Sequence, residues 1–245
     1  MHVPLALSKF PGGMYEWFGE HWSALKARAL EHLNITIRKF EDPLTTDIKK
    51  IMECCASYQY YETRKFVLGR MLDQPTECLY KQVMRCYFFV LDMFLRDPHV
   101  FVSKEGKKQN LSEMDYIVKI IGPILDIIFS DVQQLLQLKW IICREKNIEL
   151  SHSECARMIT RIKITKDRSK SLRTNKRVFD KYLINSLSEE AVEDSVVIGL
   201  QFAELYGQII GIDLLDEGLY FGFEGPTFAF PNQLCNLSSL QETLE

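Results

Sequence analysis

Residues 157 to 181 hold ten Lys or Arg against two acids, a local charge of +8, and residues 182 to 245 hold eleven Asp or Glu with no Lys or Arg. The formal net charge of −3 conceals this partition. A cation every second or third residue is what neutralising a row of phosphates requires, each contact releasing a counterion and steepening the salt dependence of binding. Arg168, Lys170, Arg173, Lys176, Arg177 and Lys181 are therefore the candidate nucleic-acid contacts. The same spacing is also produced by the solvated outer face of any amphipathic helix, so the run has two readings. No aromatic residue stands in its first twenty positions to stack on bases.

Other chemistry finds less support in the spacing. The five histidines are scattered without a paired Cys or His at metal-ligand distance, so no zinc site is expected. His152 and Cys155 stand at i, i+3, but no third group orients the imidazole, and the pair makes no nucleophile-and-base set. Cys54 and Cys55 read as adjacent fillers of a helix, whose side chains diverge by about 100°. Glycines 207, 211, 218, 222 and 225 lie along a strand-rich stretch, and no lysine follows residue 181, which excludes a P-loop. No catalytic residue and no cofactor is assigned.

The elements that must position the basic run divide into a helical N-terminal half and a mixed C-terminal half. A helix is predicted over residues 14 to 40, another from a cap at Thr46 and Asp47 to Leu72, and a third from Pro75 to Arg96 with a wide apolar face at Val83, Cys86, Tyr87, Val90, Leu91, Phe94 and Leu95. The polar stretch Ser103 to Asn110 reads as a loop or boundary, giving a helical region 1–110 and a mixed region 111–245. Ser112 and Asp115 form a capping box for a helix to about residue 130, kinked at Gly122-Pro123. Alternation from Leu136 to Cys143 predicts one strand. Ser151 and Glu154 form a second capping-box pair, predicting a helix from His152 into the 160s, with Ile159 to Thr165 also readable as a strand. A helix follows over 170–187. Strands are predicted at 196–206, 208–215 and 219–223, with turns at Gly207, at Asp216-Glu217-Gly218 and at Gly225-Pro226 before Thr227 to Phe230. A short helix capped by Asn236 or Ser238 ends the chain. The fold class is α+β, with a C-terminal antiparallel β-meander packed against helices.

Composition narrows the setting. With 47% hydrophobic and 26% charged residues, the chain is expected to bury an ordinary globular core. Seven cysteines without a pairing pattern and an N-terminus lacking a signal peptide point to an intracellular protein, cytoplasmic or nuclear and not secreted. No apolar stretch is long enough for a membrane span.

The strings Ser112 to Lys119, Leu136 to Trp140 and Leu214 to Tyr220 resemble a large protein family of Mucorales-type fungi, over residues 112 to 240. The order of elements there is similar to the restriction-endonuclease-like fold. That resemblance implies that Ile162 to Asp167 is a strand delivering a metal-binding aspartate, Asp167, with Glu145 or Glu204 as a second ligand. It also requires a following strand with an acid and a lysine, for which the chain has no room before the helix at Lys170. The resemblance thus implies an inactive or divergent relative. The expected function is a non-enzymatic interaction or scaffold module with a protein partner, the alternatives being nucleic-acid binding or a degenerate nuclease-like domain.

Overall fold

The computed structural model describes residues 39–73, 78–96, 111–130, 137–139, 142–145, 148–156, 160–185, 195–216 and 218–244. The expected loop at 103–110, the acidic stretch 189–194 and all but the last two residues of the expected helix over 14–40 lie outside them.

Three helices open the described chain: α1 (Leu44–Ala56), α2 (Tyr60–Asp73) and α3 (Cys78–Arg96). The single helix predicted from Thr46 to Leu72 is two. Tyr58 takes φ 60, and the N–H groups of Tyr58 and Gln59 bond back to the Cys55 and Cys54 carbonyls at 3.0 and 2.9 Å, closing α1 as a C-cap does. No Gly or Pro marks that break, so propensity alone runs through it. Nor do Thr46 and Asp47 cap: the helix starts at Leu44, and Asp47 is buried inside it. Its carboxylate accepts from Arg70 Nε at 2.7 Å and from the Tyr80 hydroxyl, joining α1, α2 and α3.

The capping box at Ser112 is as expected, with Asp115 N–H bonded to Ser112 Oγ at 3.1 Å and Ser112 N–H to Asp115 Oδ2 at 3.0 Å. The Ser112 hydroxyl and Lys119 hold the Asp115 carboxyl down at about 2. Helix α4 (Glu113–Tyr116) runs into a π-helical turn, Ile117–Ile121, and then α5 (Gly122–Ile128). Pro123 has no N–H to donate, and the chain adjusts by widening the preceding turn, so that Gly122 N–H bonds Ile117 O five residues back.

Two sheets follow. Strands β1 (Gln137–Lys139), β2 (Ile142–Glu145) and β3 (Ile148–His152) pair antiparallel in that order, so the one strand predicted over 136–143 is two. Strands β4 (Glu154–Ala156), β5 (Val196–Ala203), β6 (Tyr206–Asp216) and β7 (Leu219–Ala229) form the second sheet. The molecule is α+β, but this sheet is mixed: β5, β6 and β7 pair antiparallel, while β4 runs parallel to β5. Gly207 lies inside β6, the turn falling instead at Glu204 and Leu205. Gly225-Pro226 is not a turn either; Gln208 pairs with Thr227 and Ile210 with Glu224, so these residues make a bulge on the edge strand β7, where a missing N–H is tolerated.

Between the strands lies α6 (Arg161–Asn185), and α7 (Ser238–Leu244) follows a 3₁₀ turn at Leu234–Asn236. The predicted helix from His152 is replaced by strands, because its two capping residues are engaged elsewhere: the Ser151 hydroxyl donates to the Ile198 carbonyl, and Glu154 pairs with Lys170.

Side-chain alternation along β5 sorts the molecule into layers. Leu200 and Phe202 face helices α1–α5 in one core that draws residues from Leu44 to Leu240, with Phe202, Phe228 and Phe230 packed ring against ring. Val197, with Ile212 of β6, faces Val178 and Phe179 of α6 on the other side. No helix among the described residues is long and apolar enough to cross a membrane.

Two predictions follow from these packing relations. An added Cβ at Gly122 would lie 2.8 Å from the Ile117 carbonyl oxygen, a backbone atom that cannot swing away. Gly122→Ala is expected to lose about 1–3 kcal/mol in urea unfolding, against the ~1 kcal/mol that helix propensity alone would add. Burial first, with the bond to Asp47, pushes the Tyr80 hydroxyl up to about 12, and burial pushes the Cys86 thiol up to about 12. The native chain holds protons that the unfolded chain releases from its ordinary 10 and 9, so this stabilisation is complete below about pH 9 and is lost as pH rises toward 12. Unfolding midpoints measured from pH 8 to 11 should decline; a flat profile contradicts the assignment.

Candidate nucleic-acid interface

The candidate cations all lie on α6, whose placement is fixed by a buried polar junction. Asn175 and Ser171 are fully buried. Asn175 Oδ1 accepts from His152 N–H at 2.7 Å while its Nδ2 donates to the His152 carbonyl at 3.1 Å, and Ser171 Oγ donates to the same carbonyl at 3.0 Å. Asn175 thus satisfies the backbone at the end of β3 much as a neighbouring strand would. The helix can come this close because β5 carries Gly199 here, where a Cβ would stand 2.4 Å from Asn175 Nδ2 and 2.6 Å from the His152 carbonyl oxygen. Sequence reasoning did not single out Asn175; a polar residue among the apolar positions of an amphipathic helix was the available signal.

This seating divides the basic run. Arg168 turns to the sheet: its Nη1 meets Glu224 of β7, Nη2 donates to Gln208 at 2.7 Å, and Nε donates to Gln201 at 3.3 Å. Lys176 lies against Asp180 at 2.9 Å and 4.0 Å from the centre of the Tyr220 ring, while the Tyr220 hydroxyl donates to Asp180. Burial, aided by that bond, pushes the Tyr220 hydroxyl up to about 12. These two candidates are structural. Lys170 is exposed but pairs with Glu154 at 2.7 Å. Burial works against the ionised Glu154 carboxylate, yet Lys170 and His152 hold its pKa below the ordinary value.

The remaining candidates, Arg173, Arg177 and Lys181, are exposed, and so are Lys163 and Lys166, which belong to the run but not to the six named. Positions 163, 166, 170, 173, 177 and 181 advance by three or four residues, so these cations form one stripe along the outer face of α6. Within it, Lys166, Arg173 and Arg177 have no ion-pair partner among the described residues. The described side chains of the stripe include no aromatic ring, and the nearby hydroxyls of Ser169 and Thr174 are turned back onto the carbonyls of Thr165 and Lys170.

Asp167 is on the second turn of α6; Ile162 to Asp167 are helical, and the strand reading of that stretch does not hold. Lys163 and Asp167 at i, i+4 are paired at 3.2 Å, an arrangement that only the helix supplies. Asp167 is buried at 6% exposure, and its Oδ2 has no hydrogen-bond partner. Lys163, raised by its bond to Asp167, also stands 3.7 Å from Glu113, tying the starts of α6 and α4. Glu204 sits in the turn after β5 and Glu145 in β2. Among the described residues no three His, Cys, Asp or Glu come together as metal ligands. Burial pushes the Cys155 thiol up to about 12, far from a reactive thiolate.

Comparison of the chain with protein-family models, curated proteins and solved structures gives no match.

Replacing Asn175 with the similarly sized Leu removes the partner of the His152 N–H, leaves its carbonyl to Ser171 alone, and takes away the amide that fits against Gly199. Asn175→Leu is expected to cost about 2–4 kcal/mol in urea unfolding; a loss under about 0.5 kcal/mol would show that the junction does not seat the helix.

Proposed function

We propose that the protein is a non-enzymatic intracellular interaction module that binds the phosphate backbone of nucleic acid through the outer face of α6. The observation that carries this reading is the stripe of exposed cations on one helix face, with Lys166, Arg173 and Arg177 free of carboxylate partners among the described residues. The other reading of the basic run was the solvated outer face of an amphipathic helix, and three cations left without carboxylates on that face are what favours phosphate binding over it. Glu224 does take Arg168, but that contact is on the inner side of α6 and leaves the outer stripe open.

The support is electrostatic and bears on affinity for phosphates. An α-helix presenting cations over about five turns brings several of them near successive phosphates without base-specific contacts. With no aromatic ring and no free amide among its described side chains, the stripe favours sequence-independent binding.

Binding of a fluorescent oligonucleotide should weaken steeply with salt, and Lys166→Ala, Arg173→Ala and Arg177→Ala together should flatten the log–log salt dependence by about three counterions. The same triple variant should unfold within about 0.5 kcal/mol of the parent, because each side chain is at the surface without a partner. Absence of binding at low salt, or a salt slope unchanged in the folded triple variant, overturns the reading.

A further inference from the structure

On the side of α6 away from the basic stripe, the helix does not pack evenly on the sheet. Around Asn175 it is drawn close by Gly199, but over its first two turns it faces Ala203 and Ala229, whose side chains are too short to fill the gap. The result is a cleft of about 540 Å³ between α6, the β5–β7 face and α7. That volume falls within the roughly 300–1,000 Å³ typical of small-molecule sites.

We propose that this cleft binds a small, uncharged, largely apolar molecule carrying a carbonyl-type hydrogen-bond acceptor. Ile164, Ala203, Tyr206 and Ala229 give the cleft its apolar lining. One end is polar and already ordered: Gln201, 5% exposed, accepts from Arg168 and donates to the Ile164 carbonyl at 2.7 Å, and Gln208 accepts from Arg168 and donates to Glu224 at 3.3 Å. A guanidinium has five N–H donors and each amide two, so these bonds leave donors over on all three side chains. A ligand atom that accepts is therefore favoured at that end. The charge argues for a neutral one, since Glu224 already offsets Arg168 and Glu242 adds a further negative charge at the rim. The proposal is independent of nucleic-acid binding, because it uses none of Lys166, Arg173 or Arg177.

The test is titration of the full chain with Nile red, an uncharged dye bearing one carbonyl, beside the anionic dye 8-anilinonaphthalene-1-sulfonate. Saturable, blue-shifted Nile red emission, more than about tenfold tighter than that of the anionic dye, is expected. Thr227→Trp at the exposed rim and Ala229→Phe on the floor fill the cleft without removing the Arg168 network, and in folded protein either should weaken Nile red by more than about tenfold. No saturable binding, tighter binding of the anionic dye, or Nile red affinity that survives both filling variants overturns the assignment. So does loss of binding on Leu68→Asp with Leu72→Asp, which would place the dye on the exposed apolar stripe of α2.

Discussion

The reciprocal pair of hydrogen bonds between the Asn175 amide and the His152 backbone is the contact on which the rest of the C-terminal architecture depends. It joins the last residue of β3 to the middle of α6, at the point where Gly199 removes the side chain that would hold the helix away. Each bond contributes only about 1 kcal/mol net, but leaving the His152 N–H without a partner would cost about 1–3 kcal/mol, and Ser171 on the same helix adds a third bond to the carbonyl, so alternative placements of α6 are disfavoured. Once the helix is seated there, its rotation is set, and with it the fate of every cation it carries. Arg168 and Lys176 must meet the sheet, while Lys166, Arg173 and Arg177 must face water.

The charge partition acquires a physical meaning from this arrangement. The described part of the segment after residue 181 is built mainly on β5, β6 and β7, whose faces pack on the helical layer and on α6. The described acids that meet the basic helix come from several elements. Glu224 reaches Arg168, but Lys170 is matched by Glu154 on β4 and Lys176 by Asp180 on its own helix. The neutralised cations are fixed in the structure, and the uncompensated ones remain as a field at the surface.

Much of the fold was legible where local pattern and tertiary environment agree. The apolar periodicity of Val83 to Leu91 marked a core helix, and Val83, Cys86, Tyr87, Val90 and Leu91 are buried. The Ser112–Asp115 capping box is formed as its spacing requires. Misreadings arose where a local signal has two physical solutions. Ser151 and Glu154 carry the chemistry of a cap, but the same hydroxyl and carboxylate can bond across to Ile198 and Lys170, and the tertiary partners prevail. Gly-Pro can turn a chain or bulge an edge strand, and among the described residues β7 has no neighbour on that side to lose a bond. At Ile162 to Asp167, which the nuclease-like resemblance implied to be a strand, the chain is helical, held by the Lys163–Asp167 pair and by docking of the helix as a whole.

By itself, the sequence determined the α+β class, the helical start, the existence of a basic helix and the exclusion of any lysine or arginine from the last strands, because these follow from composition and from periods of two and 3.6 residues. Only the tertiary structure decided which cations are structural and which are exposed, that β4 enters the sheet parallel, that Asn175 is a joint and not a surface residue, and that α6 leaves a cleft beneath its first turns. Those outcomes depend on contacts between residues far apart in the chain, such as Asn175 with His152 and Arg168 with Glu224, and local pattern carries no information about which distant group will complete a hydrogen bond.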